Sequence, residues 1–63
     1  MKRELFTIKE FGGEFYDVSI KSNGRATNYV EIENVFEGGT ERKAFRNRAK
    51  AIAFAEKKFE ELN

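Results

Sequence analysis

Glu31 and Glu33 are the side chains whose type and spacing come nearest to a reactive pair. Alternation of polarity puts both on one face of a strand, roughly 7 Å apart, close to the spacing of the paired carboxylates that cleave glycosidic bonds. That chemistry also needs a deep cleft around the sugar, and a chain of 63 residues has little material for one, so a solvated strand face is the preferred reading. Nucleophilic catalysis meets a different obstacle. Thr7, Ser19, Ser22, Thr27 and Thr40 have no imidazole to take their protons, because the chain contains neither histidine nor cysteine. The same absence removes thiolates, disulfides and the usual zinc and iron ligands. Gly12-Gly13 and Gly38-Gly39 lack the following Lys-Ser/Thr, or the GxGxxG spacing, of a phosphate loop. The acids are scattered and do not form an oxygen-ligand calcium loop. The expectation is a protein that is not an enzyme, with no catalytic residue, cofactor or metal.

What remains is binding chemistry. Arg42, Lys43, Arg46, Arg48 and Lys50 follow one another with no acid between them, near an expected helix start, where free N–H groups and the macrodipole already favour anions. Five such contacts to duplex DNA would give a salt slope of roughly −4.5. Phe54 is expected to point away from the core, with Lys50 and Lys57 beside it, and a partner covering it would gain roughly 1.5 to 3 kcal/mol. Leu5, Phe15, Tyr29 and Val35 are expected on a sheet face shared with Lys9, Asp17, Glu31 and Glu33, a mixture that suits an interface with an apolar centre and a polar rim.

The elements that position these residues are punctuated by Phe11-Gly12-Gly13, Ser22-Asn23-Gly24 and Glu37-Gly38-Gly39. Residues 5–10, 15–21 and 27–36, rich in Phe, Tyr, Val, Ile and Thr, read as antiparallel strands. Three-residue loops with left-handed Gly13, Gly24 and Gly39 would set Ile8 opposite Tyr16, Ile20 opposite Ala26 and Tyr16 opposite Val30. One face then collects Phe6, Ile8, Tyr16, Val18, Ile20, Val30, Ile32 and Phe36. A two-residue Asn23-Gly24 turn would flip the second pairing. Residues 40–45 read as a fourth strand, with Lys43 facing Glu33, or as the first turns of a helix capped by Thr40; the strand is preferred. Asn47 is a suitable N-cap for a helix over 48–62 that Asn63 ends, with Ala49, Ile52, Ala55, Phe59 and Leu62 on its sheet-facing stripe. The fold class is α+β: an antiparallel meander of three strands, or four with 40–45, and one C-terminal α-helix packed on one face (βββα or ββββα). It forms one small domain over 1–63.

The formal charge of +1 divides unevenly. Residues 1–41 hold five bases and eight acids, and residues 42–63 hold seven bases and three acids. Met1-Lys2-Arg3-Glu4 meets an acid at once and is not followed by a signal-peptide apolar stretch, and no run is long enough to span a membrane. A cytoplasmic setting is expected. In topology, and through Asn47-Arg48-Ala49-Lys50-Ala51, the chain loosely resembles the β-β-β-α part of double-stranded RNA-binding domains and the three-stranded DNA-binding modules of phage integrases. The first family's preceding helix is absent, its paired lysines are Arg48-Ala49 here, and the sheet carries Asp17, Glu31 and Glu33 where a groove-entering sheet would be basic. The function expected is therefore that of a small accessory or interaction protein of bacterial or phage type, binding an unidentified protein partner or a second copy as a homodimer. The alternative is a nucleic-acid-binding module built on Arg42 to Lys50 and the helix face around Phe54.

Overall fold

A computed structural model that describes residues 5–24 and 27–63 has four strands, with apolar residues alternating in the second and third and the fourth mostly polar and exposed: β1 (Phe6–Phe11), β2 (Tyr16–Ser22), β3 (Asn28–Asn34) and β4 (Thr40–Phe45). They form one antiparallel sheet in chain order, and α1 (Arg48–Leu62) crosses one of its faces. Residues 40–45 are thus a strand, and the fold is ββββα. The helix begins where Asn47 accepts a hydrogen bond from the Lys50 N–H at 3.1 Å, so its side chain satisfies one of the free donors of the first turn.

Val18 and Ile20 of β2 and Val30 and Ile32 of β3 are buried beneath Ala51 and Ala55. Each of the four branched side chains stabilises the fold by roughly 1.5 to 3 kcal/mol when removed from water. The two alanines, fully buried, let the helix backbone come close to the sheet. Ile8, Phe11, Tyr16, Phe45, Ile52, Phe54, Phe59 and Leu62 close the core's margins.

The loops are longer than the three-residue reading allows. Tyr16 pairs with Asn34, and Ile20 pairs with Val30 rather than with Ala26, which lies outside the described residues. This shift of four residues preserves parity, so β2 and β3 keep their expected faces. In β1 the register moves further: Phe11 pairs with Val18, and a bulge between Thr7 and Lys9 absorbs Ile8. Phe11 becomes a strand residue whose ring lies 5.4 Å from that of Phe59. Left-handed glycines are Gly24 (φ 78°) and Gly38 (φ 77°), so the expectation holds for Gly24 and not for Gly13 or Gly39.

Asn34 explains the third loop. Its side chain accepts from the N–H groups of Phe36 and Glu37, both at 2.9 Å, and its carbonyl accepts from Gly38 at 2.8 Å. The asparagine thereby folds 35–37 into a turn and ends β3 two residues before the predicted strand end. Phe36, expected in the core, is 75% exposed as a result. The longer turn also moves β4 by an odd number of residues: Thr40 faces Glu33, Arg42 faces Glu31 and Lys43 faces Val30.

Candidate protein-binding surface

The register separates residues that stand close together in the sequence. Arg42 lies on the open face of the sheet, where its guanidinium donates to the Glu31 carboxylate, through Nε at 2.8 Å and through Nη2, and lies 5.3 Å from the Tyr29 ring. Lys21 pairs with the same carboxylate at 2.9 Å. The hydrogen bond from Lys21 and those from Arg42 hold the Glu31 carboxyl below its ordinary value, against the opposing effect of burial. Glu31 is therefore paired with two cations, whereas Glu33, two residues along the strand, is exposed. Tyr29 and Lys21 are half-buried in the same network.

Lys43, one residue on, emerges on the helix side. Its ammonium lies 4.9 Å from the Phe54 ring and 5.6 Å from that of Phe45. Phe54 does not point away from the core. It is half-buried against Phe45, with ring centroids 5.1 Å apart, and Lys58 lies 5.8 Å over its ring. The stripe built on Ile52 and Phe59 is turned by roughly 60° relative to the observed one, at 100° per residue. The helix instead seats Ala51 and Ala55 on the sheet, because small residues allow the closest approach, and Phe54 and Ile52 then fall on opposite flanks. Lys50 and Lys57 are exposed. Of the five-base stretch, Arg46, Arg48 and Lys50 remain exposed around the helix start, while Arg42 and Lys43 are committed to the two sides of β4.

The apolar residues expected to share the open face are also divided. Leu5 is half-buried at one end of the sheet beside Phe6, which pairs with Ser22 and is 62% exposed rather than in the core as expected. Phe15 and Val35 meet at the other end, where the Val35 N–H donates to the Phe15 carbonyl at 3.0 Å. There they remain 46% and 45% exposed. Phe36 completes this group, its ring 6.2 Å from that of Phe15. Three large apolar side chains thus stand in water on two loops at one end of the molecule.

Those loops are held by hydrogen bonds. Asn63, expected only to end the helix, accepts from the N–H groups of Phe15 at 2.8 Å and Tyr16 at 3.0 Å, and donates to the carbonyls of Tyr16 at 3.0 Å and Phe59 at 3.1 Å. A methyl group at Gly13 would overlap the Tyr16 carbonyl oxygen and the Asn63 side chain, so glycine is required there by close approach. Asp17 also accepts from the Gly13 N–H at 3.1 Å. Phe36 had one sequence signal, Asn34 followed by Gly38-Gly39, which marks a side-chain-stabilised turn. The clamp made by Asn63 had none, because Phe15 and Tyr16 are 48 and 47 residues away.

Around the patch stand Glu14, Asp17, Glu33 and Glu37, all exposed. None of the four is in an ion pair among the described residues, where the ion pairs are Lys21–Glu31, Arg42–Glu31 and Lys58–Glu61. No group of three or more potential metal-ligating side chains occurs among the described residues, and no helix there is long and apolar enough to cross a membrane. Comparison of the chain with protein-family models, curated proteins and solved structures returns no match.

Proposed function

We propose that this protein is a non-enzymatic interaction module that binds a protein partner through the sheet end formed by Phe15, Val35 and Phe36, in a cytoplasmic setting. The observation that supports this reading most is the coincidence of exposure and order. Three large apolar side chains stand together in water while Asn34 and Asn63 bond the backbone beneath them. Full burial of such a side chain is worth roughly 1.5 to 3 kcal/mol, and since Phe15 and Val35 are already about half covered the gain available from them is about half of that, with more from Phe36. Because the loops are already held, less ordering entropy opposes binding. The other surfaces offer less, since Tyr29 and Phe54 are already covered by Arg42, Lys43 and Lys58, and Phe6, 62% exposed at the other end of the sheet, has no second exposed large apolar side chain beside it among the described residues.

A photoreactive phenylalanine analogue placed at position 36 in the native host tests the reading. A protein adduct of defined mass is expected from position 36 and not from position 60 on the exposed helix side. Absence of an adduct at 36, or equal labelling from both positions, would remove this surface as the interface. The nucleic-acid alternative has three exposed bases at the helix start to draw on, Arg46, Arg48 and Lys50. It requires duplex binding with a salt slope of roughly −2.7. Titration of labelled DNA and RNA duplexes against salt decides that point.

A further inference from the structure

We propose that the partner of this surface is an extended, positively charged segment that seats an apolar side chain on the Phe15–Phe36 pair and a lysine or arginine between Asp17 and Glu33. The inference rests on the interaction reading above and adds the partner's chemistry. Asp17 and Glu33 are directly opposite each other in the β2–β3 ladder, an arrangement in which like charges destabilise a sheet. Two residues along β3, the protein treats Glu31 differently, surrounding it with Lys21 and Arg42. The opposed pair next to the apolar patch receives no cation among the described residues. A cation from outside would remove the repulsion and so bind more strongly than one meeting a single surface carboxylate.

The shape agrees with the charge. Asp17 and Glu33 border a shallow groove of about 330 Å³ on the open face, lined also by Glu10, Ser19 and Thr40 and by Lys21 and Glu31, whose charges are already paired with each other. Val35 follows Glu33 by two residues, just past the end of β3, and its N–H still bonds the Phe15 carbonyl at 3.0 Å, so the apolar patch directly adjoins the Asp17–Glu33 pair. Two residues of an extended chain span roughly 7 Å. An extended segment lying along β3 therefore presents side chains i and i+2 to the patch and to the carboxylate pair. A second copy is the weaker occupant, because a symmetric contact through this end would bring Glu14, Asp17, Glu33 and Glu37 of both copies together.

Selection of phage-displayed random nine-residue peptides on the immobilised protein tests the proposal, followed by titration of one synthetic peptide from the enriched set. Enriched sequences should carry Lys or Arg two positions from a large apolar residue. The affinity of the chosen peptide should fall at least tenfold in the double variant Asp17→Asn/Glu33→Gln and in Phe36→Ser. Glu60→Gln, which removes one acid on the helix, should change it less than twofold. Thermal melts and retained β-sheet circular dichroism establish that each variant is folded. Enrichment of acidic or uncharged peptides, failure to enrich any sequence, or undiminished binding to the double variant would overturn the proposal. In cells the two failures are separable. Loss of the position-36 adduct in the otherwise native protein refutes the interaction surface, whereas an adduct that persists in the double variant refutes only the requirement for charge.

Discussion

Replacing Asn63 with alanine removes the side chain that joins the end of α1 to the loop carrying Phe15. Four hydrogen bonds disappear: two accepted from Phe15 and Tyr16 and two donated to Tyr16 and Phe59. The helix-terminal bond from the Asn63 N–H to the Phe59 carbonyl remains. All four lost bonds are solvent-exposed, which puts each near the low end of the net range, about 0.5 kcal/mol, and the set near 2 kcal/mol. A domain of this size has a total stability of roughly 3 to 9 kcal/mol. At about 4 to 8 °C per kcal/mol, the melting temperature should fall by roughly 8 to 16 °C. Far-UV circular dichroism melts and urea titration measure the loss, and amide exchange locates it, with protection expected to fall at Phe15 and Tyr16. Asn63→Asp keeps the two accepted bonds but sets a carboxylate beside two carbonyl oxygens and the negative end of the helix, so it should not restore wild-type stability. A loss below about 0.5 kcal/mol with unchanged exchange at Phe15 and Tyr16 would refute the clamp and the ordered presentation of Phe15 that depends on it.

Glu33→Gln relieves the repulsion with Asp17 and should stabilise the fold by about 0.2 to 1 kcal/mol at low ionic strength, with the gain shrinking in 1 M salt; destabilisation would contradict the repulsion argument. Glu31 has a lowered pKa, so its contribution is complete above the ordinary carboxylate value and is lost as pH falls through the depressed one. The melting temperature of Glu31→Gln should therefore lie below wild type at pH 7, and the gap should close on acidification; a pH-independent gap would show that the ion pairs are not its source. Gly13→Ala should destabilise the protein, since the added methyl meets the Tyr16 carbonyl and Asn63, and a wild-type melt would show that the loop relaxes without cost. Phe36→Ser should leave stability within about 0.5 kcal/mol of wild type, because its side chain is mostly in water; a larger loss would make Phe36 a structural residue.

How much of this was legible depends on the range of the forces involved. The strand segments, the Asn47 cap and the helix over 48–62 follow from alternation, propensity and capping, which act within a few residues. The burial of Val18, Ile20, Val30 and Ile32 follows from parity, which survived an even shift in register. Phe36 was misplaced because strand propensity in 27–36 outweighed, on paper, the ability of Asn34 to bond its own turn. Phe54 was misplaced because a helical wheel shows which residues share a side, while the sheet selects the side that approaches closest. The proposed surface was half legible: Phe15 and Val35 belong to the exposed patch together with Phe36, whereas Leu5, Tyr29 and Phe54 are placed elsewhere.

Local chemistry in the chain determined the order and type of the elements, the single apolar core and the division of charge between an acidic first part and a basic second one. Only the tertiary structure decided the register, through loop bonds made by Asn34 and a bulge at Ile8, and with it which charges meet. The Asn34 bonds are local, but whether such a turn prevails over a continued strand depends on cross-strand contacts between residues distant in sequence, each worth little to either segment alone. That is why Glu31 finds two cations, why Glu33 faces Asp17, and why three of the four large apolar residues that reach water, Phe15, Val35 and Phe36, gather at one end of the sheet while Phe6 stands at the other.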